Sequence, residues 1–325
     1  MDKLLKIKSS SKAIAYEILP RRKIKRYIVS TPFTRNILNK PEIIGFDYIR
    51  NMRAGVLETL KLFRQFEKYG DKNISVLHFL RGGLNFGLFN MLNSAYGFNR
   101  MSASFITSQR YKKHADWFIK DDQYRKFSIP EDATIFIGDV LATGTTLDNG
   151  LEILRKQCLS ENKNIRRVVM FTIGCRRAEE ILEKYHAIFQ KNFDYEETFI
   201  IYFEGRFVVP LSKNDFTICL PGTDLVKKNA LLTCEFAKSQ SEKVTYPLER
   251  CVVYDVGARA YDCMTHLDDV IDYWRKLSHT GMTLKEIYEE RWYPDKKIPN
   301  STAALKNLCK LRLEFLRGLK NGSRP

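Results

Sequence analysis

The chain has 325 residues, 44% hydrophobic and 28% charged, a balance that fits a globular protein with one large core or two modest ones. No apolar run approaches the ~20 residues of a membrane span. The stretch MDKLLKIKSSSKAIAYEI also lacks the unbroken apolar region of a secretory signal, so a cytoplasmic protein is expected. Seven cysteines without a CxxC pair and five scattered histidines argue against a disulfide framework or a metal-binding module. A net charge of +16 suits polyanionic partners, either nucleic acid or phosphorylated small molecules.

Residues 1–40 are basic, weakly periodic and interrupted by Pro20 and Pro32, and they read as a basic N-terminal arm. The run RRKIKR at 21–26 carries five basic residues in six, with Tyr16, Tyr27 and Phe33 nearby. Such a run reads either as a solvated surface or as an arm lying on RNA or DNA. From Phe46 to Phe66 the pattern turns helical, with Ile49, Met52, Val56, Leu60 and Phe63 on one face. Residues 74–92, ISVLHFLRGGLNFGLFNML, predict a buried strand, a Gly-Gly turn and a helix. Residues 102–109 predict another strand, and 111–133 are polar, charged and too long for a plain connector.

The stretch IFIGDVLATGTTL, 135–147, again predicts strand, tight loop and helix, with Leu147, Leu151 and Leu154 at helical spacing. RRVVMFTIGC then reads as strand, AEEILEKYHAIFQ as helix and TFIIYFEGRFVV (198–209) as strand. This alternation from about 70 to 210 predicts an α/β fold, a parallel twisted sheet flanked by helices, with the core domain at 41–210. After Pro210 it fades into a mainly helical C-terminal hood or accessory region, 211–325. There FTICLPG reads as one more strand and LERCVVYDVGARAYDCM is ambiguous. LDDVIDYWRKL reads as helix, Thr283 and Glu286 form a capping box, and a last helix is expected over Ser301–Leu319.

Two loops carry chemistry. The first delivers Asp139 and then Ala142, Thr143, Gly144, Thr145 and Thr146 to the N-terminus of a helix. Unpaired N–H groups and the dipole there favour an anion, and the hydroxyls add donors. No lysine follows Gly144 as a Walker loop requires. The second, Arg81, Gly82 and Gly83, joins glycine freedom to a cation. Each loop also reads as a plain strand-to-helix turn.

TIFIGDVLATGTT resembles the signature of type I phosphoribosyltransferases, and FLRGGLNFG (79–87) resembles that family's pyrophosphate loop. Together the likeness covers roughly residues 70–175. The resemblance implies a fold of this α/β type and a substrate, phosphoribosyl pyrophosphate (PRPP). It also implies transfer of ribose 5-phosphate to a nucleobase-like, heterocyclic acceptor with release of pyrophosphate. Asp139 would face the ribose hydroxyls, 142–146 the 5'-phosphate, and 81–83 the pyrophosphate. Arg110, Lys112 and Lys113 would belong to a mobile lid. Mg²⁺ would be the cofactor, held mostly by the substrate, and a homodimer is common in the family. YDVGARAYD (254–262) is loosely similar to base-recognition segments of some members.

One position departs from the pattern. The first of two signature acids is Gly138 here, which implies a weakened ribose site that an aspartate would strengthen. The resemblance thus leaves an alternative, a catalytically weakened PRPP-binding regulator or defence-type effector associated with nucleic acid or a ribonucleoprotein.

Overall fold

The computed structural model describes residues 2–113, 116–210, 212, 215–250 and 256–322; side chains at 108–123 and 256 are outside the description. In chain order the elements are β1 (Lys3–Ser9), β2 (Ile14–Leu19), β3 (Lys25–Ser30), α1 (Pro32–Asn39) and α2 (Gly45–Leu62). Next come β4 (Ile74–Leu80), α3 (Leu88–Tyr96), β5 (Ser102–Lys113), β6 (Asp116–Lys126), β7 (Asp132–Leu141) and α4 (Thr145–Ser160). After them run β8 (Asn164–Cys175), α5 (Arg177–Asn192), β9 (Glu197–Val208) and β10 (Val226–Leu232). The C-terminal helices are α6 (Cys234–Ser239), α7 (Thr245–Leu248), α8 (Val256–Tyr261), α9 (Cys263–Ser278), α10 (Leu284–Arg291) and α11 (Thr302–Lys320).

The protein is a mixed α/β fold around one mostly parallel sheet, in the order β1-β2-β3-β9-β8-β7-β4-β5-β6 with β10 added against β9. Strands β3, β9, β8, β7, β4 and β5 run parallel, while β1, β2, β6 and β10 pair antiparallel at the margins. Such a sheet is covered on both faces, because its strands are apolar on both. On β7, Phe136 points to the layer of α2 with Met52, Val56 and Leu60, all fully buried. Ile135 and Ile137 point the other way, toward Leu151 and Leu154 of α4 and Ile181 and Leu182 of α5. A third cluster, built around Trp274, Leu277, Ile287 and Leu305, makes the core of the C-terminal helices.

Two expectations change. Residues 1–40 are not an arm: β1, β2 and β3 extend the sheet, with β3 parallel to β9. The physical reason is that Ile28 and Val29 face opposite layers and are both fully buried, and Arg26 in the same strand is buried too. The described part of FTICLPG forms bends and turns, and the additional strand is β10 instead. The segment 111–133 is mostly the hairpin of β5 and β6, with Phe105 opposite Lys126. The capping box at Thr283 and Glu286 forms as expected, and α11 starts from a Ser301 cap.

Candidate active site

Parallel strands expose their loops at the carboxyl edge, and a cleft opens where the chain reverses its direction of strand addition. Here β4 is followed by β5 on one side, whereas β7, β8 and β9 build outward on the other. The reversal lies between β4 and β7, so the loop after β4 and the loop after β7 are neighbours. Both sequence-predicted anion loops are therefore brought together.

The loop after β4 begins with a cis Leu80–Arg81 peptide and continues as a short 3₁₀ turn over Gly82–Phe86. Gly83 is buried so tightly that a Cβ would lie 3.0 Å from the Gly138 carbonyl oxygen, which is how closely the loops approach. Beneath them His78 is stacked on Phe105 at 5.1 Å between ring centroids, and burial holds its imidazole pKa below the ordinary value. Gly87 closes the turn at φ +56°, a left-handed conformation in which glycine is favoured. A Cβ there would fall 2.6 Å from Nε of Arg53, whose side chain crosses over this glycine from α2.

The loop after β7 is set by α4. Gly144 adopts φ +75° at the helix N-cap, and a Cβ on it would meet Ile181 of α5 at 2.3 Å. Gly144 has no side chain to cap the helix, so the N-cap itself offers no acceptor to the first N–H groups. Thr143, Thr145 and Thr146 are half-buried around them, with Thr143 Oγ1 3.2 Å from Thr145 Oγ1. Asp139 accepts the Val140 N–H at 2.8 Å, which aims its carboxylate at the strand end. Donors and dipole favour a phosphate here, and one carboxylate stands beside it to accept hydroxyl protons.

Gly138 has a structural cause. A Cβ at this position would lie 2.6 Å from Cγ and 2.7 Å from Cβ of Phe86, which is fully buried and 6.3 Å from Phe203 ring to ring. The loop after β4 thus fills the space an acid would take. An aspartate here, expected from the family pattern to strengthen the site, could enter only if Phe86 and its loop shifted.

A cavity of about 900 Å³ opens beside the phosphate-type loop, lined among others by Ala142, Thr143, Cys175, Arg176, Arg206 and Tyr293. The Cys175 thiol donates to the Ala142 carbonyl at 3.1 Å, and burial pushes its pKa up although N–H groups of Arg177 and Ala178 pull it down. Arg206 and Arg26 share Glu179 at 2.8 and 2.9 Å, and Asp2 pairs with Arg206 at 2.7 Å. The C-terminal region reaches the same edge. Gly222 lies against Thr143, and α8 packs on α2 and the 82–86 turn.

Of YDVGARAYD, Tyr254 and Asp255 lie outside the described residues. Arg259 is a clamp: it donates to the carbonyls of Ile37, Lys40 and Ile43 and sits 4.5 Å over the Tyr48 ring. Burial pushes the Tyr48 phenol up to about 12, with Arg259 countering and the charge of Asp139 adding to the rise, so α2 borders the site. The backbone of Arg110, Lys112 and Lys113 is strand β5, and their side chains lie outside the described residues. Arg81 is exposed at the loop. Sequence reasoning missed Arg53, Tyr48, Cys175 and Arg206; the only signal for Arg53 was a cation between two core positions of a helix.

Among the described residues no three His, Cys, Asp or Glu side chains gather as a metal cluster, and no helix is long and apolar enough to cross a membrane. The sequence matches no protein-family model and no curated protein. Solved structures similar to the chain include purine-type phosphoribosyltransferases. The hypoxanthine phosphoribosyltransferase of Staphylococcus aureus is 19% identical over 49% of this chain and 76% of its own, with a TM-score of 0.28. The purine enzyme of Pyrococcus horikoshii is 15% identical over 48% and 87%, at 0.27. The xanthine-guanine-hypoxanthine enzyme of Helicobacter pylori is 12% identical over 46% and 84%, at 0.26.

Proposed function

We propose that the protein transfers ribose 5-phosphate from PRPP to a nucleobase-like acceptor and releases pyrophosphate. The observation that carries this reading is the apposition of two anion-type loops at the strand reversal between β4 and β7, with Asp139 between them. The N-terminus of α4 and Thr143–Thr146 would hold the 5'-phosphate, Asp139 would accept from the ribose hydroxyls, and 81–83 would hold the pyrophosphate. The acceptor would enter the cavity beside Ala142 and Cys175. Positioning and charge neutralisation are then the chain's main contributions, as the oxocarbenium-like ribose carbon passes from one partner to the other.

Mg²⁺ fits this donor set as a substrate-carried ion. Asp139 is the one acid in the paired loops able to approach it, and the ion would supply charge neutralisation to the leaving pyrophosphate. The second reading, a PRPP-binding protein with little turnover, is favoured by Gly138, where Phe86 excludes the additional carboxylate. The test is pyrophosphate release from PRPP and Mg²⁺ against a panel of bases, paired with calorimetry of PRPP binding. Thr145→Glu puts a carboxylate at the anion site and should abolish PRPP binding with an unchanged circular dichroism spectrum. Equal affinity in that variant refutes the site; binding without turnover on any base favours the second reading.

A further inference from the structure

Arg53 lies on α2 between the fully buried Met52 and near the equally buried Val56, and its side chain crosses Gly87 at the end of the loop after β4. A Cβ on Gly87 would fall 2.6, 2.8 and 2.9 Å from Nε, Cγ and Cδ of Arg53, so the side chain is laid directly on that glycine. Its Nε is buried and has no hydrogen-bond partner. It makes no ion pair among the described residues. The next element, α3, begins at Gly87 without a side-chain cap and has no acid in its first turn. A half-buried arginine with a buried, unsatisfied Nε is thus held beside the positive end of a helix with no ion pair to offset it among the described residues. That arrangement costs free energy in the empty protein and is relieved by an anion.

Other buried arginines of this chain are treated differently. Arg26 and Arg206 share Glu179, and Arg312 meets Glu42 and Glu249 at 2.6 Å each. Each of these arginines faces a carboxylate, although Arg26 Nε is also without a partner; Arg53 faces none among the described residues.

We propose that Arg53 is a ligand of the pyrophosphate group, a cation supplied from α2 to the 81–87 loop. The proposal rests on the reading of that loop as the pyrophosphate cradle. It assigns to α2, which packs its apolar face in the core, a direct part in substrate binding. The doubly charged end of PRPP would meet Arg53 from below and the loop N–H groups from above. Ribose 5-phosphate, which lacks that end, would not meet it.

The experiment is calorimetry on the full chain with Mg²⁺ and three probes: inorganic pyrophosphate, PRPP and ribose 5-phosphate. The variants are Arg53→Met, which keeps an apolar stem over Gly87, and Arg53→Gln, which keeps a polar tip. Both should lose at least roughly tenfold in affinity for pyrophosphate and PRPP, about 1.4 kcal/mol, with ribose 5-phosphate unchanged. Pyrophosphate should raise the melting temperature of the wild type and not of the variants, while the empty variants melt no lower than the wild type. Wild-type affinity for pyrophosphate in both variants overturns the proposal, and so does an equal loss for ribose 5-phosphate, which marks general damage. Thr145→Glu separates this from the reading it rests on, since it should remove ribose 5-phosphate and leave pyrophosphate. A wild type that binds ribose 5-phosphate and pyrophosphate but turns over no base overturns the transferase and leaves Arg53 standing. A wild type that ignores pyrophosphate overturns Arg53 itself.

Discussion

Arg26 and Arg206 beneath α5 form a closed account with Glu179 and Asp2, whereas Arg53 beneath the loop after β4 has no ion pair among the described residues and an unsatisfied Nε. Both sets are drawn out of water, and desolvation penalises a charge in either place. The first set answers that penalty inside the chain and therefore belongs to the fold. Arg53 has no such answer among the described residues, which suits a site that holds an anion. A partner within the chain, a carboxylate for Arg26 and Arg206 or three carbonyls for Arg259, distinguishes these arginines from Arg53 among the described residues.

The comparison breaks most visibly if Glu179 is removed. Its carboxylate accepts from Arg206 at 2.8 Å and Arg26 at 2.9 Å, and its side chain is 1% exposed. Glu179→Ala leaves two arginines to share Asp2 and should cost about 3–5 kcal/mol in urea unfolding. Arg53→Met should cost nothing in the same assay. A loss for Glu179→Ala no larger than for Arg53→Met would erase the distinction.

Buried carboxyls sharpen it through pH. Burial pushes Glu204 up to about 7, against hydrogen bonds from Ser30, Thr34 and the Thr31 N–H and against the charge of Arg35. Burial likewise pushes Glu249 to about 7 in spite of Arg312. Each folded pKa is raised above its ordinary value of 4.5, so each contribution to stability is fully present below about 4.5 and is lost as pH rises through about 7. The loss per group is on the order of 3 kcal/mol. Glu204→Gln, which mimics the protonated form, should flatten the decline in unfolding free energy between pH 4.5 and 7. An unchanged slope refutes the assignment to Glu204.

Gly138 tests whether the two loops are one unit. Gly138→Asp should destabilise by about 1–3 kcal/mol through overlap with Phe86. PRPP affinity should fall with it, because the displaced turn carries Gly82 and Gly83. Phe86→Ala in the Gly138→Asp background should recover part of the loss, visible as non-additivity in a double-mutant cycle. A Gly138→Asp variant that binds PRPP more tightly at full stability would restore the reading taken from sequence.

Local pattern carried the legible part of this molecule. The strand–loop–helix segments around Gly83 and Gly144 declare themselves within a dozen residues, because β-branched runs, glycines and leucine spacing are neighbours in sequence. What was illegible depends on distance along the chain. Arg26 breaks the apolar pattern of β3, and its burial makes sense only with Glu179, 153 positions away. Gly138 reads as a missing acid until Phe86 is seen beside it. Arg53 looks like an ordinary cation on α2, and nothing local says that Gly87 will lie under it. Beyond Pro210, the strand pattern was assigned to FTICLPG because Ile218 and Leu220 mimic one, while β10 starts at Val226 in a stretch broken by Lys227, Lys228 and Asn229.

The smallest effect is expected where the sequence suggested a large one, in the basic run 21–26. Arg21 pairs with Glu17 at 2.9 Å, Arg22 with Glu183 at 3.6 Å, Lys25 with Glu197, and Arg26 is buried on Glu179. Four of the five cations therefore face a carboxylate in place, and the run presents little net field to a polyanion. Exposed pairs of this kind are screened by water and salt, so replacing Arg21, Arg22, Lys23 and Lys25 by glutamine should barely move stability. Nucleic-acid binding, followed by salt titration with single- and double-stranded RNA and DNA, should be weak and indifferent to the replacement. A counterion-release slope steeper than about −0.7 per neutralised phosphate times four, vanishing in the variant, would mean the pairs open to admit a strand. The run would then join Arg53 as charge held for a partner, and matching within the chain would no longer tell the two kinds of arginine apart.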